Sequence, residues 1–354
     1  MIAVTPKTLD IARRIIHEMF QVKAGEVVAI TADDGSNGEI AQAFFVASKE
    51  LNAKPLVLYT QQARDMGQVG MPDWPSEALT AALKTVDVWI EIGAACLLYS
   101  DIWETVMQEN KKVRYNILAD SSIPSLERVF CYFDVAKLHA VLHNMAELAK
   151  TTKIVRVVTE RGTDVQFETD ANNLIDFDSG DFSKPKFCTA PGYLNLVPKS
   201  GTMRGKIRFD MIMHADLSQG GHVEFIMENG RISQFIGNES RVLQDFIESF
   251  AEQNMHKISH MMLGVCPGVQ DLSWEIVEDE RIWGGVNFGF GHTSPIDMPP
   301  LGQPANSHFD GVMEKATVWF DDQLIVDKGV FVHPSIADDA YKLLAEYQAK
   351  VRQA

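Results

Sequence analysis

The sequence predicts an α/β protein in two parts: an N-terminal parallel-sheet α/β domain over residues 1–150, and a mostly antiparallel β (α+β) domain with a C-terminal helix over residues 151–354. Three observations carry this. A chain of 354 residues suits about two domains at ~150 residues each. Up to residue 150, short apolar runs alternate with segments whose apolar residues recur at helical spacing, the pattern of strands joined by crossover helices. Beyond it the period shifts to strand-like runs with turn signals between them.

In the first part, Leu9, Ala12, Ile15, Ile16 and Met19 place a helix over Thr8–Phe20, ended by Gly25. Glu26–Thr31 reads as a buried strand, residues 33–38 as a turn and Glu39–Leu51 as a second helix. Lys54–Tyr59, Val86–Ile92 and Val113–Ala119 are further strands, interleaved with helices over Ser76–Lys84, Asp101–Asn110 and Val135–Lys150. The order is Rossmann-like. In the second part Ile154–Thr159, Asp164–Thr169, Gly205–His214, His222–Met227, Arg231–Gly237 and Lys315–Phe320 read as strands. Asn229-Gly230 suits the tight turn of a hairpin. Ser240–Asn254 and Ala337–Arg352 read as helices.

Lys+Arg total 32 against 48 Asp+Glu, a net charge of −16. That balance argues against nucleic acid or an anionic membrane as partner. No apolar run approaches the ~18 residues needed to span a bilayer. The four cysteines, Cys96, Cys131, Cys188 and Cys266, form no Cys-x-x-Cys pair, and the first residues lack the basic-then-apolar order of a signal peptide. A reducing, cytoplasmic setting is expected.

The turn Asp33-Asp34-Gly35-Ser36-Asn37-Gly38 follows a strand and opens a helix, as a phosphate loop would. It lacks the lysine and the third glycine of the nucleotide motifs, and its aspartates repel phosphate. It reads as an ordinary strand–helix turn. The histidines say more. In His308-Phe309-Asp310, alternate residues of a strand share one face, so the imidazole and the carboxylate point the same way. His260 sits in the apolar run Ile258–Gly264, where a buried imidazole needs a partner. His292 follows Gly289-Phe290-Gly291, whose glycines permit close approach of a ligand. Two imidazoles and one carboxylate form the ligand set of non-haem Fe(II) centres and also serve zinc hydrolases. Taken singly, a satisfied core histidine is the more frequent explanation of His260 and a surface His–Asp pair of His308 and Asp310, and a turn histidine is equally compatible with His292. Spacing alone does not bring His260 to the other two.

The run Ile258–Pro267 (ISHMMLGVCP), followed by His308-Phe309-Asp310, resembles the C-terminal half of the aminopeptidase T (thermophilic leucine aminopeptidase) family. It is more similar to that family's offshoot, the bacterial 2,5-dihydroxypyridine 5,6-dioxygenases. Pro191-Gly192-Tyr193-Leu194, Asn287-Phe288 and Leu97-Leu98-Tyr99-Ser100 extend the resemblance. The peptidases carry a glutamate in the segment that here reads Ala190-Pro191-Gly192-Tyr193, and another where this chain has His260. Losing both carboxylates disfavours a two-metal peptidase site. His260, His308 and Asp310 match the single-iron set of the dioxygenase branch.

The resemblance therefore implies one Fe(II), with zinc or cobalt as the alternative. It implies cleavage of a hydroxylated aromatic ring such as a dihydroxypyridine by O₂, and a homo-oligomer. In the dioxygenases a histidine with an acid–base role stands where this chain has Tyr99. A phenol of ordinary pKa ~10 is a poorer base but donates a hydrogen bond; a plain core tyrosine is the other reading. Tyr99, His292 and Tyr193 are the candidates for orienting substrate or moving protons. A metal-dependent aminopeptidase and a non-enzymatic ligand-binding protein are the competing expectations.

Overall fold

The computed structural model, which describes residues 2–119 and 121–353, divides into two compact units. One comprises Met1–Val135 and Gly180–Pro191, the other Ala136–Ser179 and Gly192–Ala354. This departs from a single cut at residue 150 in two places. The long helix before that cut groups with the second unit, and a twelve-residue excursion returns to the first.

In the first unit the strands β1 (Val27–Asp33), β2 (Lys54–Thr60), β3 (Val88–Glu91) and β4 (Arg114–Ile117) pair in parallel. Between and beside them lie α1 (Pro6–Arg13), α2 (Gly38–Glu50), α3 (Ser76–Leu83), α4 (Asp101–Glu109) and α5 (Ile123–Phe130). The first helix is not α-helical throughout, because Arg14–Met19 continues it as π-helix. The Asn37 side chain caps α2 by accepting from the Glu39 N–H. The sequence reading omits α5, a short helix with a proline in its first turn.

Strand order is β2-β1-β3-β4, so the connections reverse direction beside β1 and β3. Two carboxylates are buried there, Asp33 at 2% and Glu91 at 1% exposure. Asp33 accepts from Gly35 N, Ser36 Oγ and, across the sheet end, Ala95 N at 3.1 Å. Glu91 accepts from Leu97 N and from the Tyr115 hydroxyl, both at 2.5 Å. The two side chains thus pin the 93–100 loop, which contains Tyr99. Burial pushes the Glu91 carboxyl up from 4.5 to about 7. A carboxyl whose pKa rises on folding favours the fold most when protonated. Its contribution of about 3 kcal/mol is full below pH ~4.5 and is lost as pH rises through about 7. Glu91→Gln is expected to remove this dependence. Thermal melts from pH 4.5 to 8 should then show wild type losing stability relative to the variant, and parallel curves would contradict the assignment.

The second unit opens with α6 (Val135–Thr151), followed by β5 (Ile154–Val158), β6 (Asp164–Glu168) and β7 (Ile175–Asp178). The chain then crosses to the first unit as β8 (Lys186–Cys188), a fifth parallel strand beside β4. It returns as β9 (Tyr193–Leu196), β10 (Arg204–Arg208), β11 (Met211–Ile212), β12 (Glu224–Glu228) and β13 (Arg231–Ile236). After α7 (Ser240–Ser249) come β14 (Ile258–Gly264), α8 (Ile276–Asp279), β15 (Val286–Thr293), β16 (Gln303–Met313), β17 (Thr317–Phe320), β18 (Gln323–Asp327), β19 (Val330–Phe331) and α9 (Ala337–Val351). Two antiparallel sheets result, ordered β13-β12-β10-β6-β5-β17-β18-β19 and β11-β16-β15-β14-β9-β7.

Asn229 and Gly230 both have positive φ, 51° and 72°, at the β12–β13 turn, as a type I′ hairpin requires. The expected strand over Gly205–His214 is instead two: β10 joins one sheet and β11 the other. Helix α7 stops at Ser249, because Ala251 takes a left-handed φ of 49° and Gln253–His256 tighten into a 3₁₀ turn. β16 begins at Gln303, so the residues just before His308 already belong to its strand. All four cysteines are free thiols. Among the described residues no helix is long and apolar enough to cross a membrane.

Candidate metal centre

The six-stranded sheet places β14, β15 and β16 side by side. Their register aligns His260 with Gly289, Gly289 with Asp310, and Gly291 with His308. Facing residues in an antiparallel pair share a side, so His260, His308 and Asp310 emerge on one face. Phe309 points to the other face, where its ring stacks on Phe290 at 5.2 Å. All three polar side chains are buried, and each offers a ligand atom within 4.8 Å of the others. His260 Nε2 lies 3.3 Å from Asp310 Oδ1, and His308 Nε2 lies 3.1 Å from Asp310 Oδ2.

Gly289, in the middle strand, is what makes room. A Cβ there would lie 2.5 Å from His260 Cε1, 2.7 Å from His260 Nε2 and 2.8 Å from His308 Nε2. The strand register then slips between Gly291, at φ +88°, and Thr293. This bulge turns the His292 carbonyl toward the site, where it pairs with His308 Nδ1 at 2.8 Å and accepts from Ser259 Oγ at 2.9 Å. With Nδ1 donating to that carbonyl, Nε2 is the ring nitrogen that faces Asp310 and the one that would bind a metal.

The charges fit a cation. Burial would raise the Asp310 carboxyl, but His308 and His260 hold it well below the usual carboxylate range. Burial lowers His260, and Asp310 only partly offsets this. Burial also opposes charge on His308, yet the charge and hydrogen bond of Asp310 outweigh it and raise its pKa. An ionised carboxylate between two inward-facing imidazole nitrogens is a complete three-atom donor set for a borderline divalent metal. The residues present therefore fit a single metal ion.

Of the other expected site residues, Tyr193 lies on the same face, on β9 opposite Gly264 of β14. The buried Arg281 guanidinium sits 5.2 Å over its ring. His292 contributes its carbonyl, while its own ring Nδ1 accepts from Ala305 N at 3.4 Å. Tyr99 belongs to the first unit, at φ +67° and edge-on to Trp103 at 5.7 Å. Sequence reasoning did not single out Gly289, Asn287 or Glu280 as site residues. Gly289 gave a signal in the alternation Gly289-Phe290-Gly291. Glu280 is pushed up to about 7 by burial and then by repulsion from Asp310. The sequence marks it only as one acid in an acidic segment.

Comparison with curated proteins finds no match. Among solved structures, 2,5-dihydroxypyridine dioxygenase from Pseudomonas putida KT2440 is similar with a TM-score of 0.77 at 16% identity, covering 93% of this chain and 98% of that one. Wild-type AmpT from Thermus thermophilus is similar with a TM-score of 0.69 at 12% identity, covering 92% and 99%. At these identities the likeness is one of fold, and it extends over both units. A family model described as 2,5-dihydroxypyridine 5,6-dioxygenase (NicX) matches residues 9–333, and the chain belongs to that family.

Proposed function

We propose that the protein is a non-haem Fe(II) dioxygenase that opens the ring of a dihydroxypyridine, with His260, His308 and Asp310 holding the metal. The observation that carries this reading is the buried triad, three ligand atoms on one face with no carboxylate beyond Asp310 among them. Family membership supplies the substrate class. Two imidazoles and one carboxylate leave coordination positions open for substrate and O₂, whereas a two-metal hydrolase needs bridging carboxylates. Fe(II), when bound, supplies the one-electron chemistry that lets ground-state O₂ react with an electron-rich ring.

The chain's own residues bind, orient and exclude water. The His292 carbonyl fixes the His308 tautomer, so Nε2 faces inward in every turnover. Burial of all three side chains keeps bulk water away from the oxygen-sensitive step. The phenol of Tyr193 is the donor assigned to hold a substrate oxygen, and the His292 imidazole is the base assigned to proton movement. Both atoms of O₂ end in the ring-opened product, so no external reductant is needed.

The test is anaerobic reconstitution of the full chain with Fe(II), then O₂ uptake on adding 2,5-dihydroxypyridine. One O₂ consumed per ring lost is expected. Absence of uptake, together with hydrolysis of leucyl amides by the zinc or cobalt form, would replace this reading with the aminopeptidase one.

A further inference from the structure

Asn287 touches two of the three candidate ligands and is wholly buried, at 0% exposure. It lies on β15 two residues before Gly289, opposite Met262 of β14 and Val312 of β16, and so shares the face of the triad. Its Nδ2 donates to Asp310 Oδ1 at 2.8 Å and stands 3.4 Å from His260 Nε2. An ionised carboxylate only accepts, so the amide must present nitrogen to Asp310 and carbonyl oxygen elsewhere. That oxygen, Oδ1, is buried and has no hydrogen-bond partner among the described residues.

Two consequences follow from this geometry. The two oxygens of Asp310 are unequal: each faces one imidazole, Oδ1 that of His260 and Oδ2 that of His308, but only Oδ1 also accepts from Asn287. And a buried carbonyl kept without a donor is costly unless a ligand supplies one. Neither leucine nor aspartate could do both jobs, because leucine donates nothing and a second carboxylate would repel Asp310.

We propose that Asn287 is a positioning and specificity residue of this centre. Its amide N–H holds one oxygen of Asp310, so that the other serves as a one-atom metal ligand. Its Oδ1 accepts a hydrogen bond from the ring N–H of a hydroxypyridine in its pyridone form. This rests on the function proposed above for the choice of substrate, but not for the grip on Asp310. It assigns the selectivity for a nitrogen heterocycle over a benzene ring to one amide. A benzenediol places a C–H where the pyridone places its N–H, and leaves Oδ1 unsatisfied.

The experiment uses the full chain, the Asn287→Leu variant and the Asn287→Asp variant, each checked for wild-type circular dichroism. Co(II) binding to the metal-free proteins is measured by calorimetry. Both variants are expected to bind Co(II) about 10- to 100-fold more weakly, the usual loss for a group that orients a ligand. The Co(II)-loaded proteins are then titrated, without O₂, with 2,5-dihydroxypyridine and with hydroquinone. Wild type is expected to prefer the pyridine at least about tenfold. Asn287→Leu is expected to erase the preference, and Asn287→Asp to keep it because an acceptor remains.

Unchanged Co(II) affinity in both variants would overturn the positioning role. An unchanged ligand ratio in Asn287→Leu, or no preference in wild type, would overturn the specificity role. If Fe(II)-loaded wild type fails to oxidise dihydroxypyridine, the functional reading fails instead. The Co(II) arm still decides whether Asn287 holds Asp310.

Discussion

Alanine at His308 is expected to abolish metal retention and dioxygenase turnover together. His308 Nε2 is one of three inward-facing donors, and its ring is fixed on the far side by the His292 carbonyl. Its removal leaves a two-donor site, and metal affinity should fall by more than about a hundredfold, beyond the loss typical of an orienting neighbour. The metal-free variant should still fold, because Asp310 keeps Asn287 and His260 as partners. A ligand that binds only the folded state raises its melting temperature, so added Fe(II) or Co(II) should stabilise wild type and not His308→Ala. Metal content after desalting, O₂ uptake and the metal-induced melting shift measure this. Retention of stoichiometric metal by the alanine variant would place the centre elsewhere.

Gly289→Ala is expected to do nearly as much damage without removing any ligand. The added methyl would stand 2.5 Å from His260 Cε1 and 2.8 Å from His308 Nε2, far inside contact distance. Neither imidazole can swing freely. His308 is hydrogen-bonded at Nδ1, and the rings of His260 and His308 face each other at 5.1 Å in a buried layer. The strain of overpacking should lower stability by about 1–3 kcal/mol. Metal affinity should fall at least about a hundredfold, because donors must hold their geometry closely to act as a set. Normal metal binding by Gly289→Ala would mean that the triad is not where metal binds. Measuring stability in metal-free protein separates the packing cost from lost ligation.

Much of the architecture is legible in short stretches of sequence. Period-two alternation alone puts His308 and Asp310 on one side of a strand with Phe309 opposite. The Asn229-Gly230 pair names its own turn. The alternating apolar runs of the first 119 residues correspond to four parallel strands: β1, β3 and β4 are buried on both faces, whereas β2 lies at the sheet edge with Val57 and Tyr59 exposed. Site residues outside the ligand set were harder to see. Asn287 and Gly289 carry no charge, and the sequence marks them only by a two-residue resemblance and a glycine alternation. Their importance comes from lying on the strand between those of His260 and Asp310, which is a cross-strand fact. Glu280 is one acid among many in a chain of net charge −16, and only its position near Asp310 sets it apart.

By itself, then, the sequence determined the fold class, the chemical character of the candidate ligands and which two of them share a strand face. These depend on residue type and on a period of two or 3.6, which act over neighbouring residues. Only the tertiary structure decided that His260 joins them, that a glycine spaces the imidazoles and that residues 180–191 complete the parallel sheet. Those depend on register between strands far apart in the chain. Register is set by the packing of a whole buried face rather than by any local run of residues.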